Sequence, residues 1–275
     1  MNRVYREFSQ AELDAAYNNR AVEPRLEPIK DDWGKRSDAL YAGAKVSRDL
    51  AYGSGPRQRL DFFHAKTGGR PTLAFIHGGY WQWNEKEPHA FVAEGMLAHD
   101  INVALVEYTL APHATMSQIV AEIAASIAWL ASQLQPELGA GRRLVVSGHS
   151  AGGHLTAMAA RLPGVTAALP ISGLFDLEPI RLSYLNQPLE MDKKEAGTNS
   201  PILLPLPAIP VTVAVGAAEL PELVRQSREY AAALIAAGRP ARELVLPGDN
   251  HFSILEQLAR PDGALALEAV RLAAL

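Results

Sequence analysis

A serine stands between glycines in Gly148-His149-Ser150-Ala151-Gly152, after the apolar run Leu144, Val145, Val146 and before an alanine-rich stretch of helical pattern. The pattern predicts a strand that breaks sharply at Ser150 and resumes as a helix. Such a turn holds the hydroxyl clear of the sheet, beside the free amide groups of the helix start. The flanking glycines suit the turn because side chains there would collide with the neighbouring strand and helix. A serine so placed can attack a carbonyl carbon, provided that a base takes its proton.

Eight histidines are available for that role. His251 stands out because it follows an apolar run, late in the chain, in the loop Pro247-Gly248-Asp249-Asn250-His251-Phe252. A nucleophile on this kind of turn takes its partners in the chain order serine, acid, histidine. His149 and His154 flank the serine and read as parts of the elbow and the following helix. His64, His89, His99 and His113 carry nothing that marks them. The acid is expected beyond the strand 211–215, where Glu219 is the first carboxylate, with Glu222 and Asp249 as alternatives. Its work is to hold the imidazole in one tautomer and to stabilise the imidazolium that forms. Stabilising the oxyanion needs backbone N–H groups, expected from Ala151 and from Gly78 and Gly79 in His77-Gly78-Gly79-Tyr80-Trp81. Tyr80, Trp81 and His149 are candidate substrate contacts, and Trp83 extends a candidate aromatic wall.

The elements that must position these groups follow from the apolar pattern. Residues 45–51 and 57–64 flank Gly53-Ser54-Gly55-Pro56 and read as an antiparallel hairpin. The apolar runs 71–76 and 101–107 read as buried strands, the first on both faces, and 143–147, 165–171, 211–215 and 243–246 read as further strands. Helical patterns at 87–99, 117–134 and 263–274 alternate with them. A hairpin followed by alternating strands and helices predicts a mostly parallel, twisted α/β sheet with helices on both faces and reactive groups at the carboxyl ends of its strands. Ser9 and Glu12 have the spacing of a capping box for a helix over 9–22 that Pro24 and Pro28 would stop. One domain over residues 1–275 is expected, with a helical arm at 1–38 and a cap over the site at 175–210.

Composition narrows the chemistry. The 275 residues are 48% hydrophobic with a formal net charge of −4, enough for a sizeable core and without a basic footprint for nucleic acid. There is no cysteine, so thiolate nucleophiles, thiolate metal sites and disulfides drop out together. No apolar run is long enough to span a bilayer, and the charged start MNRVYREFSQ does not read as a secretory signal. A soluble, cytoplasmic protein acting on a small-molecule ester or amide is expected, with no cofactor, metal, nucleic-acid or membrane partner. The oligomeric state is not legible.

His77 to Trp81, Gly148 to His154 and Asp249 to Ser253, together with Tyr17-Asn18-Asn19-Arg20, 172–180, Asn199-Ser200-Pro201 and 219–227, resemble the α/β-hydrolase family of kynurenine formamidase (arylformamidase) and its esterase relatives. The resemblance implies an α/β-hydrolase fold with Ser150 as nucleophile, His251 as base and Glu219 at a position where the family commonly has aspartate. Tyr80 departs from the third glycine of the HGGG lipases, which favours the formamidase branch. The implied reaction is hydrolysis of a small acyl group from an ester or an aryl formamide. The alternatives are a short-chain carboxylesterase without formamidase activity and a non-catalytic binding protein on the same fold.

Overall fold

Of the 275 residues, the computed structural model describes 3–67, 71–137 and 143–275. The chain begins with helices α1 (Gln10–Ala16) and α2 (Leu26–Gly43), separated by a 3-10 turn at Asn19–Val22. Strands β1 (Val46–Ala51), β2 (Arg59–Phe63) and β3 (Thr72–Ile76) follow, then α3 (Ala93–Ala98), β4 (Asn102–Val106), α4 (Met116–Glu137), β5 (Leu144–His149) and α5 (Ala151–Ala159). Next come β6 (Ala167–Ile171), α6 (Glu178–Leu182), α7 (Lys193–Thr198), β7 (Val211–Gly216), α8 (Pro221–Ala236), β8 (Ala241–Leu246), α9 (Glu256–Ala259) and α10 (Ala264–Ala273).

The strands form one eight-stranded sheet in the order β1-β2-β4-β3-β5-β6-β7-β8. The β1–β2 and β2–β4 pairs are antiparallel and the rest are parallel. Strands β3 to β7 are buried along their whole length. Their residues alternate between two cores, as the two-residue period of a strand requires. Leu73 and Phe75 pack with Val103, Leu105 and α10 on one face, whereas Ala74 and Ile76 pack with Val106, Val146 and α4 on the other. Helices covering both faces explain why the strand sequences are apolar without alternation.

The helix expected over 9–22 is shorter. The Glu12 carboxylate accepts from the Ser9 N–H at 2.9 Å, so the cap is in place, but α1 ends at Ala16. Helix α2 then forms where two prolines were expected to end helical structure, and the arm runs on to Gly43 instead of stopping at 38. Pro28 falls in its first turn, where the missing N–H has no intrahelical acceptor to lose. Residues 175–210 also differ from the irregular cap expected. They carry α6, α7 and two 3-10 turns, with Gln226 Oε1 accepting from the N–H groups of Phe175 and Asp176 at 2.6 and 2.8 Å.

The crossing of β3 and α5 leaves no room for a side chain. A Cβ added at Gly152 would lie 1.9 Å from the Ile76 carbonyl oxygen, which is fixed within the sheet. Gly152→Ala is therefore expected to cost about 3 kcal/mol or to prevent folding, read from urea unfolding. A wild-type midpoint would show that β3 gives way freely. No helix among the described residues is long and apolar enough to cross a membrane.

Candidate active site

The sheet brings four chain segments to one edge. In the β3–β5 pair Ile76 faces Gly148, so the loop after β3 and the turn after β5 emerge side by side. In the β7–β8 pair Gly216 faces Leu246, so the loops carrying Glu219 and His251 are also neighbours. Ser150 sits between β5 and α5 with φ 59° and ψ −118°, a conformation costly for a residue with a Cβ and held by the surrounding structure. Its N–H donates to the Ile171 carbonyl at 2.9 Å. Ser150 and His251 both line a cavity of about 420 Å³.

Glu219 is the carboxylate that reaches the His251 ring. Its Oε2 lies 2.6 Å from Nδ1, which leaves Nε2 as the nitrogen available to a hydroxyl. The other oxygen accepts from the Gly216 N–H at 2.8 Å and from the Ser172 hydroxyl. Both alternatives are occupied elsewhere. Glu222 accepts from Arg225 and from the Tyr17 hydroxyl, whereas Asp249 accepts from Ser253 and from Gln257 on α9.

The glycine loop is clamped from behind. Tyr108 OH donates to the His77 carbonyl at 3.0 Å, while His77 Nδ1 and Asn84 Nδ2 donate to the Gly78 carbonyl at 2.9 and 3.2 Å. Peptide planarity turns the Gly78 and Gly79 N–H groups away from these anchored carbonyls. A Cβ on Gly78 would lie 3.1 Å from Ser150 Cβ, so the loop packs directly on the elbow. Ala151 opens α5, where a first-turn N–H has no intrahelical acceptor.

The three expected substrate contacts separate. Tyr80 lines the cavity, and so does His149. Trp81 does not. It is fully buried in the core, with Nε1 donating to His154 Nδ1 at 3.2 Å, because positive φ at Gly79, Tyr80 and Trp81 turns the chain inward. Trp83 takes its place on the cavity wall at 40% exposure.

Burial, with the His251 and His89 rings beside it, holds the His149 imidazole well below the usual histidine range, so it is neutral. Its ring centroid lies 4.5 Å from that of His251, and its Nε2 has no partner. His89 also lines the cavity, and burial followed by the His77 charge pushes it down to about 4. Among the described residues no cluster of three or more His, Asp or Glu could hold a metal ion.

One wall has no counterpart in the sequence reading. Asn19, Arg20, Leu26, Lys30 and Trp33, all from the arm, line the cavity, whereas residues 175–210 contribute nothing to its lining. The arm is thus the covering element. Asn250 Nδ2 ties it to the His251 loop by donating to Glu23 Oε2 at 2.6 Å, and Trp33 Nε1 donates to Glu256 at 2.9 Å. In the sequence this segment read as a structural arm over the domain, and only the Tyr17-Asn18-Asn19-Arg20 likeness linked it to the family.

Behind the glycine loop, Glu107 gathers His77 Nε2 at 3.0 Å, Arg57 at 2.7 Å and the Lys86 and Tyr108 N–H groups at 3.0 Å. Burial raises its pKa, but His77, Arg57 and the Tyr108 N–H outweigh burial and pull it down to about 2. A carboxyl depressed on folding contributes stability that is complete above its unfolded value and lost as pH falls through the folded one. The expected loss therefore runs from about pH 4.5 down to about 2. Glu107→Gln should show a shallower acid limb in urea midpoints than the wild type. Parallel limbs would remove Glu107 from the account.

A family model, BD-FAE, matches residues 60–178. Kynurenine formamidase from Danio rerio is 30% identical over 277 residues, covering 92% of this chain and 93% of that protein. The Salmo salar kynurenine formamidase is 32% identical over 249 residues, covering 82% and 83%. A crystal structure from Silicibacter sp. tm1040, provisionally assigned as a thioesterase, superposes with TM-score 0.85 at 30% identity, covering 93% of this chain and 98% of that one. An esterase from Pyrobaculum calidifontis superposes with TM-score 0.72 at 20% identity over 97% and 98%, a likeness of fold.

Proposed function

The chain belongs to the kynurenine formamidase family of α/β-hydrolases, and from that premise we propose that it removes small acyl groups from aryl formamides or esters through an acyl-enzyme on Ser150. The observation that carries the reading is the 2.6 Å contact between Glu219 Oε2 and His251 Nδ1 beside a serine in the strained elbow conformation. His251 Nε2 takes the hydroxyl proton as Ser150 Oγ attacks the acyl carbon. The charge that develops on the acyl oxygen is met by the N–H groups of Gly78, Gly79 and Ala151. Protonated His251 then gives its proton to the leaving nitrogen or oxygen as that bond breaks. In the second half, His251 takes a proton from water as it attacks the acyl carbon, then returns that proton to Ser150 Oγ as the acyl–oxygen bond breaks and the acid leaves. Glu219 accepts from the ring N–H at Nδ1 and stabilises the imidazolium.

The reading is tested by turnover of N-formylkynurenine beside p-nitrophenyl acetate, with fluorophosphonate labelling of the serine. Turnover of the formamide with labelling at Ser150 is the expected result. Turnover of the ester alone would identify a carboxylesterase. Failure to label or to turn over either compound would leave a binding protein on a hydrolase fold.

A further inference from the structure

Ser172 is the first residue after β6, is fully buried, and is not among the residues that line the cavity with Ser150 and His251. Its φ is 51°, in the left-handed region that a residue with a Cβ enters at a cost. A glycine would hold that backbone without strain. What the serine adds is a hydroxyl, and its one hydrogen bond among the described residues is donated to Glu219 Oε1.

That bond falls on a carboxylate that has to be aimed. A glutamate reaches the His251 ring through three side-chain torsions, and the last of them, at the carboxylate itself, has no sharp staggered wells. The Gly216 N–H, donating to Oε1 at 2.8 Å, fixes one point of the group and leaves it free to pivot there. The Ser172 hydroxyl brings a second donor to the same oxygen from a neighbouring strand end. Its own position is tied to the acid's, because the Ser172 N–H donates at 2.8 Å to the carbonyl of Ala214 on β7, the strand that ends at Gly216. With Oε1 held from two directions, Oε2 is left 2.6 Å from His251 Nδ1.

We propose that Ser172 is a positioning residue for the reaction, its hydroxyl aiming the Glu219 carboxylate and, through it, the His251 ring. The proposal rests on the hydrolase reading and goes beyond it by adding a fourth side chain to the serine, histidine and glutamate. Ser172 touches neither the cavity nor the reacting atoms, so its loss slows the chemistry and leaves binding alone.

The test measures kcat and KM for N-formylkynurenine and p-nitrophenyl acetate in Ser172→Ala and Ser172→Gly, each made in the wild-type and in the Glu219→Gln background. Alanine keeps the backbone strain and glycine relieves it, so a loss common to both belongs to the hydroxyl, and the glycine variant serves alone where the alanine one does not fold. In the wild-type background kcat is expected to fall about 10- to 100-fold, the cost of a slightly misplaced group, with KM within about twofold. In the Glu219→Gln background no further fall is expected, because the contact that Ser172 serves is already gone. A structural role would lower kcat by the same factor in both backgrounds; that result, or a loss below about threefold in the wild-type background, overturns the proposal. A second measurement does not depend on turnover. The proton on His251 Nδ1, identified in the NMR spectrum by its loss in His251→Gln, is expected to broaden or move upfield in both Ser172 variants. A resonance missing from the wild type, or not displaced in that sense, overturns the proposal. A wild type that hydrolyses neither compound overturns the hydrolase reading instead, and the resonance then decides Ser172 alone.

Discussion

Ser150→Ala is expected to lower kcat on an aryl formamide by roughly 10⁵- to 10⁶-fold. The size of the loss follows from the covalent role, since the glycine loop and the helix start still bind the acyl group but no oxygen attacks it. The Ser150 N–H keeps its acceptor, the Ile171 carbonyl at 2.9 Å. Alanine at φ 59° is strained to a similar degree as serine, so the midpoint of urea unfolding should stay within about 1 kcal/mol of the wild type. Single-turnover assays and urea unfolding check the two halves. A variant that keeps one-hundredth or more of the rate would end the acyl-enzyme scheme.

Glu219→Gln is expected to lower kcat by about 10⁴-fold with a smaller effect on KM. A glutamine can still offer its carbonyl oxygen to the Gly216 N–H, as Glu219 Oε1 does at 2.8 Å. Its amide nitrogen then faces His251 Nδ1 with a hydrogen where a carboxylate oxygen stood at 2.6 Å. The imidazole must present a lone pair to that hydrogen, which places its own proton on Nε2, the nitrogen that should accept from Ser150. The base is lost by tautomer choice, without distortion of the fold. A loss below tenfold would move the acid role away from Glu219.

Much of the parallel sheet was legible because burial on both faces writes itself as uninterrupted apolar sequence, and β3 to β7 are such runs. The contact of Glu219 with His251, and their place with Ser150 at one end of the sheet, were legible from chain order and strand ends. The arm was not. Helix α2 has Leu26, Ile29, Trp33, Leu40 and Tyr41 among eighteen residues rich in charge, and nothing local says that Trp33 stacks on Phe91 while its indole N–H reaches Glu256 near the far end of the chain. Tyr80 and Trp81 show a second limit. They are adjacent and both aromatic, yet one lines the cavity and the other is fully buried, a divergence set by left-handed backbone that periodicity does not reveal.

The arm also sets the order in which the molecule becomes competent. Its anchors are distant in sequence: Trp33 and Arg36 hold Glu256, and Glu23 holds Asn250. Contacts that close loops of more than two hundred residues form late, after local and sheet contacts have shortened the search. During synthesis α2 can settle on residues 87–94, where Trp33 stacks on Phe91 and Arg36 holds Glu94, but the ties that close the arm over the cavity must wait for the last strand and its loop. A growing chain can therefore assemble the serine elbow well before it has a pocket, and the lag between the two would be readable in refolding as amide protection of β5 that precedes both nucleophile labelling and tight ligand binding.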